Sequence, residues 1–310
     1  MFIKKYGVFR DRPALFVSGL GECDLRDTFE CGQVFRYELV ADEGDYVEYF
    51  ATAYGIIIRV GQVTRGELIF YGDVSDRELE LIGKYFSFDT DFEEIRQDVK
   101  SHTDSEWLKS AADSARGIVI LKQEPWETLL SFIISQNNNI PRIKKIIRAI
   151  SLAYGENLAK SGGICPKTGE PISDEVCAGC GACYSFPTAK AILDAPELLL
   201  PSHPGFRYKY MLDAADKVSS GAVDLADIDE KGSYAYTLEQ LKHILGVGDK
   251  VASCVALFGF SNLDAFPIDV WMKRAIDEYF DGKLDPATLG NYAGVAQQYI
   301  FHYIRNLSKE

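Results

Sequence analysis

The sequence has no long hydrophobic run. No stretch of about 18 uncharged apolar residues occurs in its 310 residues, so a typical membrane-spanning helix is not expected. The first residues, MFIKKYGVFRDRP, lack the apolar segment of a secretory signal. We therefore expect a cytoplasmic protein that contacts no membrane.

Basic residues are also in short supply. There are 33 Lys and Arg against 46 Asp and Glu, which gives a net charge of -13 and argues against a strongly basic nucleic-acid binder. The charge is uneven, however, because residues 41–100 hold 14 acidic and 6 basic side chains. The segment QNNNIPRIKKIIRAI at 136–150 has no acidic residue and four basic ones: Arg142, Lys144, Lys145 and Arg148. A local basic patch of this kind can still bind phosphates.

The remaining composition is that of a globular protein, and the pattern along the chain predicts an α+β fold. Segments 47–53, 55–60 and 66–71 are rich in β-branched and aromatic residues and are separated by glycines, which predicts an antiparallel sheet. From Ser75 the pattern becomes helical, and it stays helical after Gly117. We predict an N-terminal antiparallel α+β domain at 1–116 and an all-α domain at 117–310, with a Cys-rich insertion at 162–185.

Residues 241–259, LKHILGVGDKVASCVALFG, predict two helices joined by a tight glycine turn. Gly246 and Gly248 permit unusual backbone angles and leave the amides uncovered, so the turn can approach a phosphate at the N-terminus of the second helix. This pattern is typical of a helix-hairpin-helix that grips DNA backbone. An ordinary corner between two helices is the alternative.

Two chemically capable residues follow that turn. Lys250 lies in the first turn of the second helix, where the positive end of the helix dipole favours the uncharged amine that a nucleophile requires. Asp269, in FPIDVW, precedes a predicted helix. The simpler interpretations are a solvated lysine and a helix-capping aspartate.

Taken together, the segments LGVGDKVASC, FPIDVW, SFIISQNNNIPRI and PGFRYKY resemble the 8-oxoguanine DNA glycosylase/lyase family of the helix-hairpin-helix superfamily. The resemblance runs from Asp24 to about Phe301, in the family's order. It implies a bifunctional enzyme of base excision repair: Lys250 attacks C1′ and forms a Schiff base, and Asp269 stabilises the charge that develops on the sugar. The expected partner is double-stranded DNA containing 8-oxoguanine, bound by a monomer.

The same resemblance assigns DNA contacts, because the damaged base must leave the stack before it can react. Phe206 resembles the aromatic wedge that fills the gap, while Asn137, Arg142 and Arg207 resemble the contacts to the orphaned cytosine. Gly246 and Gly248 would meet the backbone. The alternatives are a core phenylalanine and arginines that touch only phosphate.

The base pocket is assigned in the same way. Gly32, in ECGQVFRY, matches the glycine whose carbonyl accepts a hydrogen bond from N7–H of 8-oxoguanine, a bond that guanine cannot donate. Gln297 matches the glutamine for the base edge, and Phe301 and Cys254 match the groups on its two faces. A turn glycine and a filler cysteine are the alternatives. Excision of other damaged bases, and a DNA-binding module without activity, also stay open.

Two positions depart from the family pattern. Leu245 stands where the family's hairpin usually has proline, a change of little consequence. Trp271 stands where a histidine usually follows the catalytic aspartate by two residues, and tryptophan neither accepts a hydrogen bond nor carries charge. We expect Trp271 to pack against the sugar and phosphate of the extruded nucleotide.

Four of the seven cysteines crowd into 19 residues with the spacing C-x11-C-x2-C-x2-C: Cys165, Cys177, Cys180 and Cys183. Four thiolates at this spacing can close a tetrahedral zinc site, which we expect to be structural. An iron–sulfur cluster and plain thiols are the alternatives. No cofactor is expected for the chemistry itself.

Overall fold

The computed structural model describes residues 2–159 and 181–308. Within these residues a six-stranded sheet forms in the N-terminal part. Its strands are β1 Ile3–Phe9, β2 Arg12–Ser18, β3 Tyr37–Asp42, β4 Val47–Ala53, β5 Ile56–Gln62 and β6 Glu67–Tyr71. An antiparallel α+β fold is thereby confirmed.

Every strand pair in the sheet is antiparallel, and the spatial order is β1-β2-β6-β5-β4-β3. Register is marked by Leu15 opposite Phe70 and by Tyr49 opposite Val60, four side chains that are fully buried. Because side chains alternate between the two faces of a strand, this register places one apolar set on the core face.

Helices fill the rest of the described chain. Those in and beside the sheet region are α1 Leu25–Glu30, α2 Asp76–Tyr85, α3 Phe92–Ser101 and α4 Glu106–Ser114. The later ones are α5 Pro125–Ser135, α6 Ile140–Tyr154, α7 Ala189–Asp194, α8 Tyr208–Ser219, α9 Leu225–Lys231, α10 Tyr234–Leu241, α11 Asp249–Gly259, α12 Val270–Tyr279 and α13 Ala293–Leu307. Short 3-10 helices lie at Pro196–Ser202, Gly205–Arg207 and Pro286–Tyr292.

Two main apolar cores result. One lies on the sheet and takes in α1 and α2, and the other joins the helices from α3 onward. Helices α3 and α4 bury Ile95, Val99 and Leu108 in the helical core, although they precede residue 117. Helices α3 and α4 thus belong to the core of the helical domain although the predicted boundary assigns them to the N-terminal domain. The boundary itself stays a prediction.

Buried polar groups join the two cores. The side chain of Gln33 donates to the carbonyls of Thr28 and Val119, both at 2.9 Å, and accepts from the Leu121 amide at 2.9 Å. Arg36 pairs with Glu127 at 2.8 Å, and both side chains are buried. Because a broken buried pair is costly, the pair with Glu127 ties Arg36 to α5, while the bonds of Gln33 tie the same segment to residues 119–121.

No helix in the described ranges has both the length and the apolar character needed to cross a bilayer.

Candidate active site

The glycine turn places Lys250 at the mouth of a cleft. Gly246 has φ +79°, and a Cβ there would lie 2.6 Å from the ring of Tyr210, so both the conformation and the space require glycine. The turn is anchored on α8, where Asp213 accepts a 2.6 Å bond from the Leu245 amide. Helix α11 begins at Asp249, so Lys250 lies in its first turn, as the sequence predicts.

The Lys250 side chain is half-buried and faces aromatic residues. Its Nζ lies 5.2 Å from the ring centroid of Phe132, which stacks on Phe258. Val251 and Val255 of the same helix are buried. The Nζ atom therefore has aromatic rings on one side and the cavity on the other.

Asp269 caps α12. Its Oδ1 accepts bonds from the amides of Trp271 at 3.0 Å and Met272 at 2.9 Å. The interpretation of Asp269 as a helix cap is thus correct. It is compatible with a catalytic role, because the two amide donors fix the carboxylate at the border of the cleft that Lys250 also borders. The two residues, 19 positions apart in the sequence, line one cavity.

That cavity has a volume of about 880 Å³. Nine of the predicted site residues line it: Gly32, Asn137, Gly248, Lys250, Cys254, Asp269, Trp271, Gln297 and Phe301. Its walls come from the N-terminal part, from α5, α6 and the segment between them, and from α11, α12 and α13. The size is in the range of sites that enclose a small organic group.

Gly32 and Phe301 meet at one wall. Gly32 has φ +85°, and a Cβ there would lie 3.3 Å from the Phe301 ring. The residue follows helix α1, and its positive φ also fits the alternative of a turn glycine, so the assignment of Gly32 stays a prediction. Gln297, Phe301 and Arg305 are four residues apart along α13, so they share the face that borders the cavity.

Cys254 is buried at the cavity floor, one turn after Lys250. Burial raises the pKa of its thiol, and the Asp269 carboxylate raises it too, whereas Lys250 opposes them. The thiol form therefore predominates near neutral pH, and Cys254 presents an uncharged, polarisable surface to the cavity.

The predicted DNA contacts divide into exposed and buried residues. The Phe206 side chain is 49% exposed beside Tyr210, so the alternative of a core phenylalanine is wrong. Asn137 and Arg142 are also exposed. By contrast Arg207 is only 3% exposed, and its guanidinium binds the carbonyls of Gln136, Asn137 and Pro204. Burial, and secondarily Arg142, lowers its pKa.

The basic patch at 136–150 is smaller than the sequence suggests. Arg148 pairs with Glu38, and the Lys144 Nζ lies 3.6 Å from the ring centroid of Tyr37. Because both lie against the N-terminal part, Arg142 and Lys145 are the exposed cations of this segment. The sequence could not indicate these partners, since they lie about a hundred positions away.

Of the cysteine cluster, Cys165, Cys177 and Cys180 lie outside the described residues. Cys183 is buried against Phe50 of the sheet. In residues 2–159 and 181–308 no group of three His, Cys, Asp or Glu side chains could hold a metal ion. The zinc expectation is therefore without structural support and stays a prediction.

Several cavity residues escaped the sequence analysis, among them Phe132, Gln298 and Arg305. Phe132 lies in a helix whose apolar residues cover most of its surface, so nothing separates it from core neighbours. Gln298 and Arg305 did carry a signal. Gln298 is a second polar residue within the apolar segment AGVAQQYIF, and Arg305 lies one turn beyond Phe301.

The sequence of the chain is similar to those of known DNA glycosylases. Residues 16–129 match the family model described as 8-oxoguanine DNA glycosylase, N-terminal domain. The chain is similar to the N-glycosylase/DNA lyase of Saccharomyces cerevisiae, with 28% identity over 280 residues, which is 82% of this chain and 67% of the yeast protein.

Two solved structures match over nearly the whole length. MBOgg1 in complex with a low-affinity DNA ligand is 32% identical with a TM-score of 0.80, over 98% of this chain and 99% of that one. The Clostridium acetobutylicum 8-oxoguanine glycosylase/lyase, in complex with double-stranded DNA containing cytosine opposite 8-oxoguanine, is 30% identical with a TM-score of 0.81, over 99% and 98%. Motifs, fold and cavity therefore lead to one family, and the chain belongs to the 8-oxoguanine DNA glycosylase/lyase family.

Proposed function

We propose that this DNA glycosylase with AP lyase activity excises 8-oxoguanine opposite cytosine and cleaves the strand through a Schiff base on Lys250. The observation that carries the proposal is the shared cavity. Lys250 and Asp269 border one space of about 880 Å³, and Gly32, Cys254 and Phe301 supply its other walls.

In the proposed reaction the uncharged amine of Lys250 attacks C1′ as the bond from C1′ to the base breaks. The base leaves with the bonding electrons and takes up a proton. In the resulting hemiaminal ether the C1′–O4′ bond breaks and O4′ takes up a proton, which opens the sugar ring to a Schiff base and makes the proton at C2′ acidic. Loss of that proton expels the 3′ phosphate by β-elimination and cuts the strand.

Asp269 would act by charge and position. Its carboxylate is fixed by two amides, so it needs little reorganisation to stabilise positive charge on the sugar. Trp271 of the same helix borders the cavity and offers a flat apolar surface to the extruded nucleotide. Gly246 and Gly248 would bring backbone amides to a phosphate.

Opposite-base recognition is assigned to the surface beside the cavity. Exposed Phe206 can enter the gap left by the base, while Asn137 and Arg142 can meet the acceptor edge of cytosine. Arg207 would also contact the cytosine, after its guanidinium gives up one of its hydrogen bonds to a backbone carbonyl. We expect a monomer in the cytoplasm, with the chromosomal DNA.

Borohydride trapping on an 8-oxoguanine duplex tests the mechanism. The native chain should give a covalent adduct, and Lys250→Gln should give none. Lys273→Gln is the matched control, because Lys273 also borders the cavity but is exposed on α12. An adduct that persists in Lys250→Gln would overturn the assignment of the nucleophile.

A native chain that binds the duplex without forming an adduct would instead favour a DNA-binding module. A panel of duplexes containing alkylated or other oxidised bases then separates 8-oxoguanine from the other candidate lesions.

A further inference from the structure

Gln298 is a buried amide next to the residue assigned to the base edge. Gln297 and Gln298 are 3% and 4% exposed, and both border the cavity. The Nε2 of Gln298 donates a 2.7 Å hydrogen bond to the Oε1 of Gln297. The two side chains thus form one hydrogen-bonded pair at the cavity wall.

The Oε1 of Gln298 is buried and has no hydrogen-bond partner among the described residues. Buried polar atoms are almost always paired, so an orphaned acceptor needs an explanation. An apolar residue could fill the same place in this helix without leaving a buried acceptor unpaired, so packing alone does not account for Gln298. The bond to Gln297 is the polar contact that Gln298 provides.

That bond fixes the direction of the Gln297 amide. Because Oε1 of Gln297 accepts from Gln298, the NH2 group of Gln297 is free to donate a hydrogen bond to a ligand in the cavity. The second lone pair of the same Oε1 can accept a hydrogen bond from a neighbouring donor of that ligand. Guanine presents the complementary edge, a carbonyl at C6 beside N1–H. Adenine presents the reverse, an amino group beside an acceptor nitrogen.

We infer that Gln298 is a positioning residue that holds the Gln297 amide in the orientation that selects a 6-oxopurine over a 6-aminopurine. The inference rests on the proposed function, because it assumes that the extruded base enters this cavity. If the Gln297 amide were reversed, its NH2 group would face N1–H of guanine and its Oε1 would face the carbonyl at C6. Buried polar groups would then stay unpaired, which is how polar sites reject a near isostere.

The experiment uses Gln298→Met, which keeps length and apolar bulk but cannot hold the neighbouring amide. Single-turnover rates are measured on three duplexes, which carry 8-oxoguanine, 8-oxoadenine or a preformed abasic site, all opposite cytosine. In the variant, 8-oxoguanine excision should fall about tenfold, the effect of one hydrogen bond, while 8-oxoadenine excision does not fall. Gln298→Ala carries the same expectation with a smaller side chain.

Cleavage at the abasic site separates positioning from folding, because no base enters the cavity in that reaction. It should stay within about twofold of the native rate, whereas a misfolded variant loses it. Gln97→Met, at an exposed position on α3, is the matched control and should leave all three rates unchanged.

Two results would overturn the inference: 8-oxoguanine excision that stays native in Gln298→Met, or a parallel fall of all three rates. If the native chain itself neither excises 8-oxoguanine nor cleaves the abasic site, the proposed function fails instead.

Discussion

The guanidinium of Arg207 donates a 2.8 Å hydrogen bond to the backbone carbonyl of Asn137, 70 residues earlier in the chain. Asn137 has φ +47°, a conformation that non-glycine residues rarely adopt. The buried arginine thus braces a strained bend between α5 and α6. Two residues proposed to contact the opposite base are joined in this way before DNA is bound.

Arg207→Ala should therefore lower both stability and opposite-base preference. Loss of the guanidinium leaves buried carbonyls unpaired, and we expect the free energy of unfolding to fall by about 2–4 kcal/mol. The exposed Arg142→Ala should change it by less than about 0.5 kcal/mol. Urea unfolding gives the first quantity, and excision rates opposite each of the four bases give the second.

Both variants should flatten the ratio of rates opposite cytosine and opposite the other bases, while abasic-site cleavage persists. Equal stability of Arg207→Ala and Arg142→Ala would contradict the bracing role. Unchanged ratios in both variants would contradict the assignment of the cytosine contacts.

The two hairpin glycines should respond differently to alanine. Gly246→Ala forces a side chain into a left-handed conformation and into the Tyr210 ring, so we expect a loss of about 2–4 kcal/mol of stability. Gly248 has φ -102°, and a Cβ there would meet nothing within 4 Å, so Gly248→Ala should cost less than about 1 kcal/mol. Thermal melting compares them, and equal losses would refute this account of the turn.

Asp27 should make stability fall as pH rises. Burial, and next Asp24, raises its pKa from 3.8 to about 6, so the folded state binds this proton more tightly than the unfolded state does. The contribution is present below pH 3.8 and is lost as pH rises to about 6, with a maximum of about 3 kcal/mol.

Asp27→Asn removes that titration. We expect the variant to gain stability relative to the native chain between pH 4.5 and 7, offset in part by the lost pair with Arg65. Urea unfolding at several pH values measures the difference, and parallel pH profiles of the two proteins would rule out the expected role of Asp27.

The cysteine spacing predicts one zinc ion per chain, which elemental analysis of the purified protein checks. Since the site is expected to be structural, a chelator should lower the melting temperature without changing which base is excised. Iron with visible absorption would favour a cluster, and no metal would leave plain thiols.

The sequence locates the hairpin and the helices beside it better than it locates the first strand and the first helix. The turn around Gly246, the helix from Asp249 and the one from Val270 are local patterns, so the positions of Lys250 and Asp269 on these helices could be predicted, whereas their roles are implied by the family resemblance. Strand β1 reads IKKYGVF and is exposed along nearly its whole length, so it lacks the alternation that marks a half-buried strand. Helix α1 has only six residues, too few to show a period.

The unpredicted parts of the site depend on contacts between distant segments. The carbonyls of Gln136 and Asn137 that bind Arg207, and the Glu38 partner of Arg148, are separated from those arginines by 70 residues or more. The proposed role of Gln298 depends on its hydrogen bond to Gln297 and on its own buried acceptor without a partner, and only the structure shows these two features. Spacing and composition contain no record of such pairings.

The meeting of Gly32 with Phe301 has a consequence for biosynthesis. The ribosome makes the hairpin and the two proposed catalytic residues before it makes α13, so both reactive groups are synthesised before the helix that carries Phe301. The proposed base site is therefore completed last, when α13 brings Phe301 against Gly32.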